Sequence, residues 1–410
     1  MHSLSVRQLI LRVLLPFAAG YFLSYLYRTV NAVLAPEIAR TIHLDAGVLG
    51  LMTGVYFLAF GSFQLPLGLL LDRFGPRRVE AALLVFAASG AAAFAWAEDA
   101  GTLVGGRALI GLGVSACLMA ALKANVQFFP AARLPLMNGI ILSAGGLGAV
   151  AATAPVQALL AVTDWRGVYA VLAGLTLAAA VALFLTVPDR PGPASGETLG
   201  AQLRAVGRVF ADPLFLRVAP FTSLAMGTFM AVQGLWAGPW LRDIAGLDPQ
   251  GVAAGLAVMA GAMAAGFLLV GAAAERLARL GIPAIQVGGA GTVVFLLAQA
   301  AMAAGWSDAP FVLAAVYGFS GATSTVMYAV VTQGFPPHLA GRANTSLNLV
   351  IFACAFATQW GLGEVIGLWP KGETGWPPEA YRIALALPAA ALAAALVWFM
   401  PAARTARSAE

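Results

Sequence analysis

Long apolar runs alternate with short polar breaks along the whole chain. Each run reaches the roughly 20 residues that a helix needs to cross the hydrocarbon core of a bilayer. A helix also satisfies its own backbone hydrogen bonds where lipid offers none. The pattern predicts twelve spans, at residues 14–39, 46–70, 79–97, 103–128, 136–162, 168–187, 216–241, 251–273, 282–305, 310–333, 343–368 and 380–401. The least apolar long interval is 188–215, where Pro188, Arg190, Pro191, Pro193, Arg204 and Arg208 collect. It divides the chain into a six-span bundle at 1–187, a cytoplasmic linker at 188–215 and a second six-span bundle at 216–410.

Composition agrees with this reading. Of 410 residues 60% are hydrophobic and 10% charged, against about 25% charged in soluble domains. The net charge of +5 is spread over short loops and does not suggest a nucleic-acid partner. Arg7 and Arg12 precede the first apolar run, as in a secretory leader. That run is long, contains Arg28 and lacks a small-x-small cleavage site, so it reads as a retained span. Cys117 and Cys354 both fall inside spans, so no disulfide framework is expected. Basic residues orient such chains with their positive loops inward. With the N-terminus in the cytoplasm, Arg73, Arg77, Arg78, Arg204, Arg208 and Arg342 lie inside, and only Arg40, Arg166, Arg242, Lys371 and Arg382 lie outside. Both termini are therefore expected in the cytoplasm.

The halves repeat. Gln127, Phe129, Pro130 and Asn138 recur as Gln333, Phe335, Pro336 and Asn344 at one offset, about half the chain length. The stretch Gly68-Leu-Leu-Leu-Asp72-Arg73-Phe-Gly75-Pro-Arg77-Arg78 recurs in reduced form as Gly271-x3-Glu275-Arg276. It resembles the loop between the second and third helices of the major facilitator superfamily, G-x-x-x-D-R-x-G-x-R-R. Arg107-x3-Gly111-x-Gly113 is similar to that family's fourth-helix pattern, and Asp164-Trp165-Arg166 precedes span six. The resemblance implies an all-α membrane protein of twelve helices in two pseudo-symmetric bundles, which rock about a central cavity in a bacterial-type inner membrane. Monomers are usual for this family.

The same resemblance implies a conformational latch. Asp72 would face the N-terminus of span eleven, with a helix-dipole attraction of about 0.3–1 kcal/mol when exposed. Arg73, Arg77 and Arg78 would add to it, Gly68 and Gly75 would permit close approach and a tight turn, and Glu275 with Arg276 would form a weaker second latch.

Charges within spans cost about 2.5–3.5 kcal/mol each at a helix centre and so mark pathways or paired sites. Arg28, Arg107, Lys123 and Glu364 qualify. Arg107 either snorkels to the outer surface or serves coupling, as its counterpart does in drug antiporters. Lys123 and Glu364 read as interfacial anchors. Arg28 lies near mid-span in Gly20-Tyr21-x3-Tyr25-x2-Arg28-x7-Pro36, which looks like the first helix of the organophosphate:phosphate antiporters, whose arginine binds phosphate. A guanidinium fork suits a carboxylate or phosphate. Those antiporters place a second arginine in helix seven, whereas no basic residue interrupts Val218 to Leu241 here. The expected substrate is therefore a small organic anion, a monoanion fitting more easily than a doubly charged phosphate ester, with a neutral polar solute also open. Tyr21, Tyr25, Asn31, Gln64, Gln233, Trp236, Tyr328 and Asn348 are candidates to line its cavity, or else bond between helices.

A second reading is a soft metal as cargo. Met226-x3-Met230 and Met259-x3-Met263 each place two thioethers on one helix face, which suits Cu(I). The pattern is similar to the superfamily's copper importers, except that Met259 stands where those carry His. No Gly-Pro pair occurs from Gly139 to Pro155, which weighs against a drug/proton antiporter. An enzyme is not expected and no cofactor is implied, since His2, His43 and His338 lie at ends or loops and no His/Asp/Glu cluster falls within a span; nucleotide-driven pumping is not expected either, as no G-x4-G-K-[ST] occurs, and a non-transporting membrane receptor is a further alternative. No Asp or Glu sits near the middle of a span, so a carboxylate proton relay is not evident, and exchange or uniport fits at least as well as ion-coupled transport.

Overall fold

A computed structural model of the chain describes residues 6–130, 133–189, 199–372 and 375–405. Residues 190–198, with Arg190, Pro191 and Pro193 of the expected linker, lie outside the described set. Among the described residues the chain is helical, with turns and short loops between. Ten helices of these described residues are long and apolar enough to cross a membrane, and two shorter apolar helices, Ala46–Ser62 and Leu136–Ala151, stand at the places of spans two and five.

The spans fall within a few residues of the expected ones, but their joints differ. Spans two and three are not separated by an irregular loop. A helix from Gln64 completes span two and breaks at Gly75, and a second runs on as span three to Ala95; the φ of 77° and ψ of 160° at Gly75 are ones only a residue without Cβ adopts readily. Pro76 follows and starts span three with its fixed φ. The linker interval contains a helix of its own, Leu199–Phe210. Several spans are interrupted. The first comprises Leu15–Thr29 and Asn31–Ile42, the fourth Ala100–Gly113 and Cys117–Phe128, the fifth Leu134–Ala151 and Ala154–Leu159, and the tenth Pro310–Thr323 and Val326–Gly334. Three of these breaks share a cause. Ser115, Thr153 and Thr325 donate their hydroxyls to the carbonyls three residues back, of Leu112, Val150 and Ala322, at 2.6, 2.6 and 2.7 Å. Such back-bonding competes with the helix ladder. The seventh span, Pro213–Ala231 continuing to Ala237–Asp243, widens into a π-turn at Val232–Trp236.

Aspartates start the helices. Asp45, Asp99, Asp164, Asp212 and Asp248 each accept from a backbone N–H in the following first turn, at 2.7–2.9 Å, satisfying donors that helix geometry leaves free.

Packing divides the chain into two units, one of residues 1–42 and 55–199 and one of residues 43–54 and 200–410. In the first, span one packs along span five and span three along span six. In the second, span seven packs along span eleven (Pro337–Ile366) and span nine (Ala284–Ala304) along span twelve (Pro378–Thr405). The two units thus use the same pairing, as the sequence repeat implied. The start of span two belongs with the second unit, where a Cβ on Gly50 would sit 2.8 Å from the Gln359 carbonyl oxygen, and one on Gly363 2.3 Å from that of Ala46.

Candidate substrate site

The first unit buries a cation among aromatic rings. Arg28, on the last turn of Leu15–Thr29, is 6% exposed. Its guanidinium carbon lies 4.5 Å from the Tyr25 ring centroid and 5.5 Å from that of Phe60. The Tyr56 hydroxyl stands beside it and donates to the Ser24 carbonyl at 3.1 Å. Tyr21 meets Tyr25 edge to face with centroids 5.2 Å apart. Gly145 of span five opens the space for both rings, since a Cβ there would come within 2.5 Å of Tyr21 and 2.8 Å of Tyr25. Gln64 closes the neighbouring side by donating to the carbonyl of Ser115 at 3.1 Å. Chemically this is a positive fork on aromatic faces, suited to a small anion.

Arg107 is fully buried rather than snorkelled to the surface. It donates to the Tyr27 carbonyl at 2.7 Å and to the Tyr169 hydroxyl at 3.3 Å, and its guanidinium lies 4.8 Å from the Tyr56 ring centroid. Tyr169 in turn donates to Asn31 at 2.6 Å. Asn31, expected as a lining residue, is thus fully buried in a network tying spans one, four and six together. Tyr56 is the residue the sequence did not single out. It lies against both arginines, on a face of span two whose apolar character concealed it.

In the second unit the candidates form separate contacts. Gln233 lies in the π-turn of span seven and donates to the Met263 sulfur at 3.4 Å. Trp236 donates to the Gln359 carbonyl at 3.1 Å. Tyr328 donates to Asn348 at 2.5 Å. Met226, Met230, Met259 and Met263 are all buried. Among the described residues no group of three or more His, Cys, Asp or Glu is placed to hold a metal.

The loop motif makes several side-chain contacts in the first unit. Asp72 pairs with Lys123 of span four, so Lys123 is half of an ion pair rather than a free anchor. Arg77 donates to the Phe184 carbonyl at 2.8 Å and lies 4.7 Å from the Phe184 ring centroid, and Arg78 pairs with Asp189. Arg73 lies over Phe74 at 5.3 Å, and Gly68 is half-buried in the same helix. Glu275 pairs with Arg279 one turn on, and Arg276 is exposed. Glu364 accepts from the Trp360 ring N–H at 2.7 Å. Glu80, at the start of span three, is fully buried. It follows Arg77 and Arg78 and so reads as a loop charge, yet Leu83, Leu84, Ala87 and Ala91 put it on the buried face of the helix.

Two units of membrane-crossing helices share one pairing scheme and bury cations within the spans, an arrangement that fits a polytopic carrier of small solutes. The chain belongs to the Major Facilitator Superfamily, whose family model matches residues 17–358. It is 25% identical over 345 residues to a protein named "Probable sulfoacetate transporter SauU" from Cupriavidus necator, covering 78% of each chain. It is 29% identical over 181 residues to the nitrate/nitrite transporter NrtP of Nostoc punctiforme, covering 42% of this chain and 36% of that one. Its fold is similar to the crystal structure of a bacterial homologue of the human lysosomal transporter Spinster, with a TM-score of 0.70 at 18% identity over 97% and 96% of the two chains.

Proposed function

We propose that the protein carries a small organic anion across a bacterial-type inner membrane, exposing its site to the two sides in turn, with both termini cytoplasmic. The observation that carries this reading is Arg28, a buried guanidinium laid on the faces of Tyr25 and Phe60 in the first unit. Aromatic faces support a cation without neutralising it, and a guanidinium fork suits a carboxylate, sulfonate or nitrate. Relatives named for sulfoacetate and for nitrate transport support an anion. The test is counterflow of labelled sulfoacetate into proteoliposomes, with unlabelled carboxylates, sulfonates, nitrate, polyols and Cu(I) as competitors. Competition by the anions alone is expected. Competition by Cu(I) alone, or by polyols as strongly as by anions, refutes the reading.

A further inference from the structure

Span three and span six, Trp165–Thr186, enclose a groove at the end of the first unit where the basic loop lies. Its volume is about 310 Å³. Ala81 and Ala180 are buried at its base, and Val85, Val181, Phe184 and Leu185, all exposed, form its walls. Both helices are apolar and long enough to cross a membrane, so these walls face acyl chains. Roughly ten waters would fit the space, but apolar walls give them no hydrogen-bond partners. One end of the groove is charged. Arg78 lines it, with its side chain 58% exposed, and pairs with Asp189 through Nη2. Arg77, beside it, holds the end of span six through the Phe184 carbonyl and ring. Arg12 of span one is exposed at the same end, where its carbonyl accepts from the Thr186 hydroxyl at 3.4 Å. Glu80 is turned away from this rim, toward Gly20 and Cys117. Arg12, Arg77 and Arg78 against Asp189 leave the described rim with a net positive charge.

We propose that this groove holds one acidic phospholipid, with an acyl chain between spans three and six and its phosphate paired with Arg78. Chain and head group have separate roles. A chain that leaves the bilayer for the groove gains no hydrophobic burial, because lipid tails are as apolar as the walls. Packing of the chain therefore places the lipid, and the head group decides which lipid stays. A guanidinium fork matches a phosphate, and its five N–H donors let it hold a phosphate beside Asp189. One arginine at an anionic membrane surface is worth about fivefold in binding. A zwitterionic head group brings its own cation to a rim that is already positive, and gains less. A second copy of this chain is a poorer occupant, since a two-fold contact would set the same arginines against each other. The site does not depend on what the protein carries.

The experiment follows thermal unfolding of the purified protein in neutral detergent micelles doped with phosphatidylglycerol or phosphatidylcholine, or with glycerol 3-phosphate free in solution. Phosphatidylglycerol should raise the unfolding temperature. Phosphatidylcholine should need about fivefold more lipid for the same rise, and glycerol 3-phosphate should give none. Equal potency of the two lipids overturns the proposal. A rise with glycerol 3-phosphate alone shows an anion site without a chain, and overturns it too. These wild-type comparisons stand whatever a substitution does to folding. Arg78→Gln should need about fivefold more phosphatidylglycerol and lose the preference over phosphatidylcholine. Val181→Trp, which fills the groove from an exposed position, should abolish the response to both lipids. Native mass spectrometry should show one phosphatidylglycerol retained by wild type and none by Val181→Trp. Variants that respond and retain lipid as wild type does overturn the site. A dimer in lipid-free detergent that dissociates in Val181→Trp would place a second copy in the groove, and overturns it as well.

Discussion

Replacing Arg28 by alanine removes the fork that would hold an anion, and the size of the effect follows from its contacts. A bidentate pair is two charge-assisted hydrogen bonds, each worth about 1.5–3 kcal/mol. Their loss together is about 3–6 kcal/mol, or roughly two to four decades in Kd. The stacking of Arg28 on Tyr25 and Phe60, at 4.5 and 5.5 Å, exists with or without substrate, so it belongs to folding stability and not to binding. Arg28→Lys keeps the charge but not the planar fork, and should lose about half as much. The assay is thermal unfolding of the purified protein with sulfoacetate. At 100 times Kd the ligand adds about 2.7 kcal/mol to wild type. At that same concentration the gain should vanish in Arg28→Ala and shrink in Arg28→Lys. Unfolding without ligand separates binding from folding, since the alanine variant also gives up the ring contacts. An Arg28→Ala protein that gains as much from sulfoacetate as wild type refutes the reasoning.

Gly145→Ala should weaken sulfoacetate binding about tenfold and cost about 1–3 kcal/mol of stability, because its Cβ would press on Tyr21 and Tyr25 beneath Arg28; unchanged values for both would count against the placement of those rings. Asp72→Ala and Lys123→Ala should each destabilise the protein, and a double-mutant cycle should show coupling of about 0.5–1 kcal/mol, since the side chains are 37% and 24% exposed and water screens the pair. A coupling near zero would mean that the pair does not form. Asp99, in the loop before span four, is held below the usual carboxylate range, chiefly by the Thr102 hydroxyl and then by the Thr102 backbone N–H. A depressed carboxylate contributes stability that is present above its unfolded-state value and lost as pH falls through its folded-state value. Unfolding temperature should therefore fall with acidification over that window, and Asp99→Asn should flatten this part of the profile; an identical profile in the variant would remove Asp99 from the account.

The spans were legible because apolar length is a local property, written in each stretch. Gly75 was legible for a similar reason, since Gly-Pro after a helix marks a turn wherever it occurs. Breaks at Ser115, Thr153 and Thr325 were not, because a hydroxyl in an apolar run can face several ways and only the folded helix shows it bonding backward. The partners of the charges were the least legible part. Asp72 and Lys123 are separated by a whole span in sequence, and nothing local joins them. Arg107 lies close to a helix start, where position suggests snorkelling, and only packing shows it turned inward to Tyr27 and Tyr169. Arg28 was found by its depth in an apolar run, whereas its aromatic setting depends on Phe60, more than thirty residues away.

The ion pair between Asp72 and Lys123 also bears on how the chain is made. Synthesis proceeds from the N-terminus, so the span ending at Asp72 is in place before the one carrying Lys123 leaves the ribosome. A lysine entering the membrane alone carries a cost that grows toward the centre of a helix, and here its counter-charge is already waiting at the membrane surface. The acidic residue of the loop thus acts as a receptor for a later segment of its own chain. Its loss would be felt first in the quantity of correctly inserted protein, before any molecule had moved a substrate.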